Sequence, residues 1–137
     1  MSLHCFPVRV YYEDTDFSGN VYHASYLKFF ERGRTELLRE AGIHHAELAS
    51  QGLAFAVRAM EIQFDGSAHI DDLLAVTTQA ISATGARLLL SQTILRDGVV
   101  LTRAQVTVVA IKTDGGVARM PAAVRALAIA AGAAPRA

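Results

Sequence analysis

Residues Val10 to Leu38, VYYEDTDFSGNVYHASYLKFFERGRTELL, change within a few positions from the period of a strand to the period of a helix. Val8, Val10 and Tyr12 alternate with Arg9, Tyr11 and Glu13, a period of two. Asp14-Thr15-Asp16-Phe17-Ser18-Gly19-Asn20 is a loop by composition, with two carboxylates and a glycine free to take positive φ. From about Tyr22, Leu27, Phe30, Leu37 and Ala41 fall near one helical face, while Lys28, Glu31, Arg32, Glu36 and Arg39 fall mostly elsewhere. A strand therefore delivers two carboxylates to a loop that opens a helix, and helix starts favour negative charge. That setting suits acid–base chemistry on an acyl group.

The rest of the chain has to cover this helix. Tyr26, Leu27, Phe29, Phe30, Leu37 and Leu38 make it apolar on more than one side. The patterns predict a first strand over 6–13, the helix over about 22–41 with Gly42 as its stop, and a short connector with helical tendency through His44, His45 and Glu47. Alternating strands follow over 54–64, 73–81, 86–95 and 99–112, punctuated by Asp65-Gly66-Ser67, Ser82-Ala83-Thr84-Gly85, Arg96-Asp97-Gly98 and Asp114-Gly115-Gly116. Pro121 suits the first position of a last helix over about 122–131 that turns Val124 and Leu127 inward, and residues 132–137 are expected to fray. One antiparallel sheet of about five strands curled around one long helix, an α+β arrangement, satisfies this order.

Length and composition bound the function. The 137 residues fit one domain, residues 1–137, and 52% hydrophobic against 19% charged residues fits a compact protein. Thirteen basic residues balance thirteen acidic ones, so bulk charge argues against nucleic-acid or anionic-membrane partners. Cys5 is the only cysteine, and no apolar run reaches membrane-span length, so the expected compartment is the reducing cytoplasm. Cys5 stands beside His4 without a third member, and His44 and His45 are adjacent and cannot share a helical face; neither pair is read as a site, and no metal is expected.

The block from Val10 to Leu38 resembles the hotdog-fold acyl-CoA thioesterases. It is most similar to the Tol–Pal-associated acyl-CoA thioesterase subgroup of the 4-hydroxybenzoyl-CoA thioesterase family. The family pattern of an aspartate, a glycine, a small apolar residue and an aromatic or histidine before a helix is matched by Asp16, Gly19, Val21, Tyr22 and His23. Similarity continues through FAVRAMEIQF and Ile70 to Asp72, out to about Lys112. The resemblance implies a hotdog fold and hydrolysis of acyl-CoA to free acid and CoA without a metal or redox cofactor. It makes Asp16 the catalytic base or nucleophile and the backbone N–H near His23 the donor to the thioester oxygen, with the His23 side chain as a second catalytic group. It sets Gly19, Val21, Tyr22 and Tyr26 along the substrate, and it implies a homodimer or homotetramer with the site between subunits. Two positions depart from the family: Asn20 is polar where a small or apolar residue is common, and His69 stands where an arginine is common.

Several of these residues admit a second reading. Asp16 alone could cap the helix, and Asp14 is read as a structural loop residue. Asp14-x-Asp16-x-Ser18-Gly19 imitates a calcium loop, but Ser25 stands where the bidentate glutamate belongs. There is no G-x-S-x-G elbow and no glycine-rich phosphate loop. With no net charge, CoA phosphates need a local basic cluster, for which Arg58, Arg87 and Arg119 are the candidates. A hotdog enoyl-CoA hydratase and a non-catalytic module binding acyl-CoA or acyl-carrier protein are the alternatives. A thiol-release assay separates them from a thioesterase.

Overall fold

Short turns between alternating segments dictate hairpins, and the computed structural model, which describes residues 3–130, forms them. The strands are β1 (His4–Arg9), β2 (Leu53–Phe64), β3 (Leu73–Thr84), β4 (Arg87–Arg96) and β5 (Val99–Lys112). The helices are α1 (Ser25–Glu40), α2 (His45–Ser50) and α3 (Ala122–Ala130). All pairings are antiparallel, in the order β1-β3-β4-β5-β2, so β1 and β2 are the edges. Asp97 and Gly98 both take positive φ, 50° and 79°, as a two-residue hairpin requires.

Period-two burial along β3, β4 and β5 gives the sheet one apolar face, and α1 lies on it. Tyr26, Phe29, Phe30, Leu37 and Leu38 are buried there; fully burying Phe29 and Phe30 stabilises by about 2–3 kcal/mol each. Gly33 lets the helix touch the sheet: a Cβ there would meet Val76 Cγ1 at 2.7 Å. The first turn of α1 meets the end of β2, with Tyr26 and Phe64 ring centroids 5.6 Å apart. The second half of the helix faces the start of β2, where Leu38, Phe55 and Val57 share a cavity wall. Helix and edge strand therefore run antiparallel.

Three expectations need correction. The first strand ends at Arg9, because its partner β3 begins at Leu73 and offers no ladder beyond it. Tyr12–Asp14 instead form a single 3₁₀ turn, and Tyr12 is exposed. The long helix starts at Ser25, not Tyr22, because the Val21 and Tyr22 N–H groups already donate to Ala68 O and Asp14 O. Leu27 is also exposed, at 43%. The remaining strands and the last helix match expectation within three residues at each end, and Val124 is fully buried. Residues 131–137, and with them the expected frayed tail, lie outside the described residues. Among the described residues no helix is long and apolar enough to cross a membrane.

Candidate active site

Asp16 is held by its own loop. Its N–H donates to Asn20 O at 2.9 Å and its carbonyl accepts from Gly19 N–H at 3.2 Å. Gly19 closes the turn at φ 83°, a conformation open to glycine at no steric cost. Ser18 turns back on the carboxylate, donating to Oδ1 from its backbone N–H at 2.8 Å and from its hydroxyl at 2.5 Å. These bonds, the Ser18 hydroxyl first, hold the Asp16 carboxyl below the ordinary aspartate range. Both Ser18 bonds fall on Oδ1, and the carboxylate is exposed to solvent, where a reactant can reach it. The carboxylate does not cap α1, whose N-cap residue is Ala24 and has no side-chain cap.

The loop is clamped from outside by residues 67–72. Val21 N–H donates to Ala68 O at 2.8 Å, Ile70 N–H donates to Gly19 O at 3.0 Å, and Asn20 bridges His69. The buried Tyr26 hydroxyl accepts from Ala68 N–H at 3.0 Å, and burial raises its phenol above the usual value. Arg96 braces the same segment, donating to Asp72 Oδ2 at 2.8 Å and to Ser67 O at 3.1 Å, with His69 Nδ1 at 3.2 Å. Burial pushes Asp72 up, but the Arg96 bond, the His69 N–H and the Arg96 charge outweigh it, and the net shift is downward. Asp14 is buried and spends its carboxylate on the Tyr11 N–H at 2.8 Å, the structural role expected of it.

His23 follows directly. Its exposed ring lies against Tyr22, with centroids 4.4 Å apart. Among the described residues the backbone N–H groups of His23 and Ala24 have no hydrogen-bond partner, so the turn before α1 presents two free donors. Asp16, Gly19, Val21, Tyr22, His23 and Tyr26 thus share one end of the fold. Arg58, Arg87 and Arg119 do not: Arg87 opens β4 while Arg96, beside the loop, closes it, a separation of about 30 Å along the strand. Arg58 sits at a bulge in β2 opposite Val108 and Thr107, and Arg119 lies next to Met120, which bonds Gly85.

A cavity of about 420 Å³ lies at that second end, between α1, α2 and the start of β2. Its walls include Leu38, Phe55, Leu88 and Leu90, with Arg34 and Thr35 on the helix side. Arg34 and Gln92 were not among the expected site residues. Both left a signal, a charge on the apolar stripe of α1 and an amide between buried Leu90 and Ile94.

The family model for the thioesterase-like superfamily matches residues 10–127. The chain belongs to the thioesterase-like superfamily. An acyl-CoA thioesterase YbgC from Haemophilus influenzae is 47% identical over 107 residues, which is 77% of this chain and 79% of that protein. The acyl-CoA thioester hydrolase YbgC of Escherichia coli O157:H7 is 42% identical over 111 residues, 80% of this chain and 83% of the other. A crystal structure of a probable thioesterase from Bartonella henselae superimposes with a TM-score of 0.84 at 46% identity, covering 88% of this chain and all of that one. In thioesterase terms the fold is a hotdog, with α1 as the filling and the five-stranded sheet wrapped around it.

Proposed function

We propose that the protein hydrolyses acyl-CoA thioesters to the free acid and coenzyme A, in a site completed by two copies of the chain. The observation that carries the two-copy arrangement is the antiparallel course of α1 and β2, which puts the Asp16 loop and the cavity at opposite ends of one edge strand. One chain cannot bring them together. An antiparallel pairing of two β2 edges can, because it lays Phe64 of one copy near Phe55 and Val57 of the other. The β2 edge is twelve residues long and exposed at Val57, Arg58 and Ala59, so its free N–H and C=O groups are open to such a partner.

In this arrangement one copy supplies Asp16 and the free N–H groups at His23 and Ala24, and the other holds the acyl chain. Asp16 takes a proton from water as the water oxygen bonds to the acyl carbon. The N–H pair receives the developing oxyanion, the C–S bond breaks, and the proton passes to the leaving thiolate. In the alternative route Asp16 itself bonds to the acyl carbon and expels the thiolate, and water then hydrolyses the anhydride. Neither route draws on a metal or redox cofactor. Arg58, Arg87 and Arg119 stand towards the cavity end, where CoA phosphates would need them; Arg87→Ala should raise KM for acyl-CoA while sparing small thioesters without the nucleotide. An acyl-carrier protein presents the same bond and is the second donor to assay. The cytoplasm, where the lone Cys5 stays reduced, is the compartment this reading requires.

Asp16→Asn should cut kcat by about two to four powers of ten with KM little changed. A single turnover in ¹⁸O-water then separates the routes, since label in the Asp16 carboxylate marks a nucleophile. Co-expressing Asp16→Asn with Thr35→Trp, which fills the cavity, should restore about a quarter of wild-type activity, because random pairing leaves one intact site in each mixed dimer. Near-native activity of Asp16→Asn would sink the assignment of the base, and no restoration on mixing would sink the shared site.

A further inference from the structure

The cavity carries a charge that its apolar walls do not call for. Arg34 lies on the buried stripe of α1, four residues after Phe30 and four before Leu38, where the helical period wants an apolar side chain. Arg34 lines the cavity, and its guanidinium donates to Gln92 Oε1 at 3.1 Å. Gln92 is fully buried and cannot turn away. Its amide nitrogen donates to Phe30 O at 3.0 Å and to Thr78 Oγ1 at 2.8 Å, so the amide oxygen is left facing Arg34. The guanidinium is thereby aimed by a neutral group.

No carboxylate touches it. Among the described residues Arg34 takes part in no salt bridge. Burial pulls the guanidinium down from its ordinary value, and Glu31, one turn earlier and also on the cavity wall, offsets this only through space. A partly desolvated cation with no carboxylate in contact is costly, so a fold that fixes one at the wall of an open cavity gains when an anion arrives.

We infer that Arg34 makes the cavity selective for acyl groups that end in a carboxylate, ω-carboxyacyl thioesters, over plain alkyl chains of the same length. The inference rests on the reading that this cavity holds the acyl group. A carboxylate matches the flat guanidinium fork with two parallel bonds, and Leu88, Leu90 and Phe55 supply apolar surface for the methylenes between that end and the thioester. A methyl terminus in the same place displaces water from Arg34 and returns no hydrogen bond.

The test compares adipoyl-CoA with hexanoyl-CoA, which share a chain length, on the full-length protein and on Arg34→Lys, Arg34→Met and Gln92→Glu. Wild type should favour adipoyl-CoA in kcat/KM by about tenfold or more, the scale of a charge-assisted hydrogen bond. Arg34→Met should abolish that ratio and Arg34→Lys should keep part of it. Gln92→Glu should abolish it too, since the sheet then supplies the missing counter-charge with the fork still present. Calorimetric titration with hexanoate, which presents one carboxylate, and with hexan-1-ol, which presents none, should give the same order without turnover. Equal losses on both esters in Arg34→Met, with the ratio unchanged, would show Arg34 to be a strut or a thioester contact and overturn the inference; so would a wild-type preference for hexanoyl-CoA. Should Arg34→Met fail to fold, the ratio in Gln92→Glu decides. Absence of thiol release from either ester, with hexanoate still bound in preference to hexan-1-ol, overturns the hydrolase reading and supports the carboxylate site.

Discussion

Replacing Gly33 by alanine tests how closely α1 is pressed onto the sheet. In a free helix the change is favourable by about 1 kcal/mol. Here the new Cβ would stand 2.7 Å from Val76 Cγ1, 3.0 Å from Thr78 Oγ1 and 3.2 Å from Gln92 Nε2. Carbon–carbon contacts settle at about 3.5–4.0 Å, so the helix must lift by roughly 1 Å or the two central strands must give way. Val76, Thr78 and Gln92 are all buried, so none can swing out into solvent. Overpacking of this kind costs about 1–3 kcal/mol, and each hydrogen bond of Gln92 that stretches adds about 1 kcal/mol. The net effect is a loss of about 1–3 kcal/mol, which lowers Tm by roughly 3–10 °C for a chain of this size. Thermal unfolding should be followed at fixed protein concentration, because association shifts Tm. In a Val76→Ala background the closest atom is gone, and Gly33→Ala should cost much less. A Tm equal to or above wild type, or strict additivity of the two changes, would refute the close approach.

Other outcomes concern the Asp16 loop and its brace. Ser18→Ala removes the largest cause of the low Asp16 pKa, so the acid limb of the pH–rate profile, which should lie below the ordinary aspartate range in the wild type, should move upward; an unmoved limb would detach Ser18 from the proposed base. Asp72 has a depressed pKa in the folded state, so its contribution to stability is present above the unfolded pKa and fades as pH falls through the folded one. Arg96→Met should therefore lower Tm more at pH 7 than near pH 3, and an equal loss at both would mean that packing rather than charge is at stake. Asp14→Ala should destabilise by about 1–3 kcal/mol, through the Tyr11 N–H it leaves unpaired, while reducing kcat far less than Asp16→Asn.

The long strands are legible in the sequence because β3, β4 and β5 each have one buried face, so period and burial say the same thing. The end of β1 is not legible, since Tyr11 to Glu13 continue the alternation and nothing local reports that β3 starts only at Leu73. The start of α1 hides for a related reason: Tyr22 and His23 carry helical spacing, but Asp14 O and Ala68 O, distant or irregular in sequence, claim the adjacent N–H groups. Loop composition and the family motif locate Asp16, and the 67–72 clamp accounts for its surroundings. The cavity draws on α1, β2, β4 and β5 at once, so no window of sequence contains it. Arg34 and Gln92 are each a polar residue in an apolar register, where local pattern and final packing conflict.

The chain has no tryptophan, and all four of its tyrosines, Tyr11, Tyr12, Tyr22 and Tyr26, fall within sixteen residues of one another. Three are exposed around the Asp16 loop, and the fourth is buried beneath it against Ala68. The protein's ultraviolet emission therefore comes from a single region. Titrating unlabelled protein with a non-hydrolysable acyl-CoA should change tyrosine emission when the ligand or a second copy reaches that end. In an unfolding experiment the same signal follows the detachment of one loop and the first turn of α1, and a circular-dichroism trace recorded alongside reads the sheet, so the two report separately on the reactive end and on the frame that carries it.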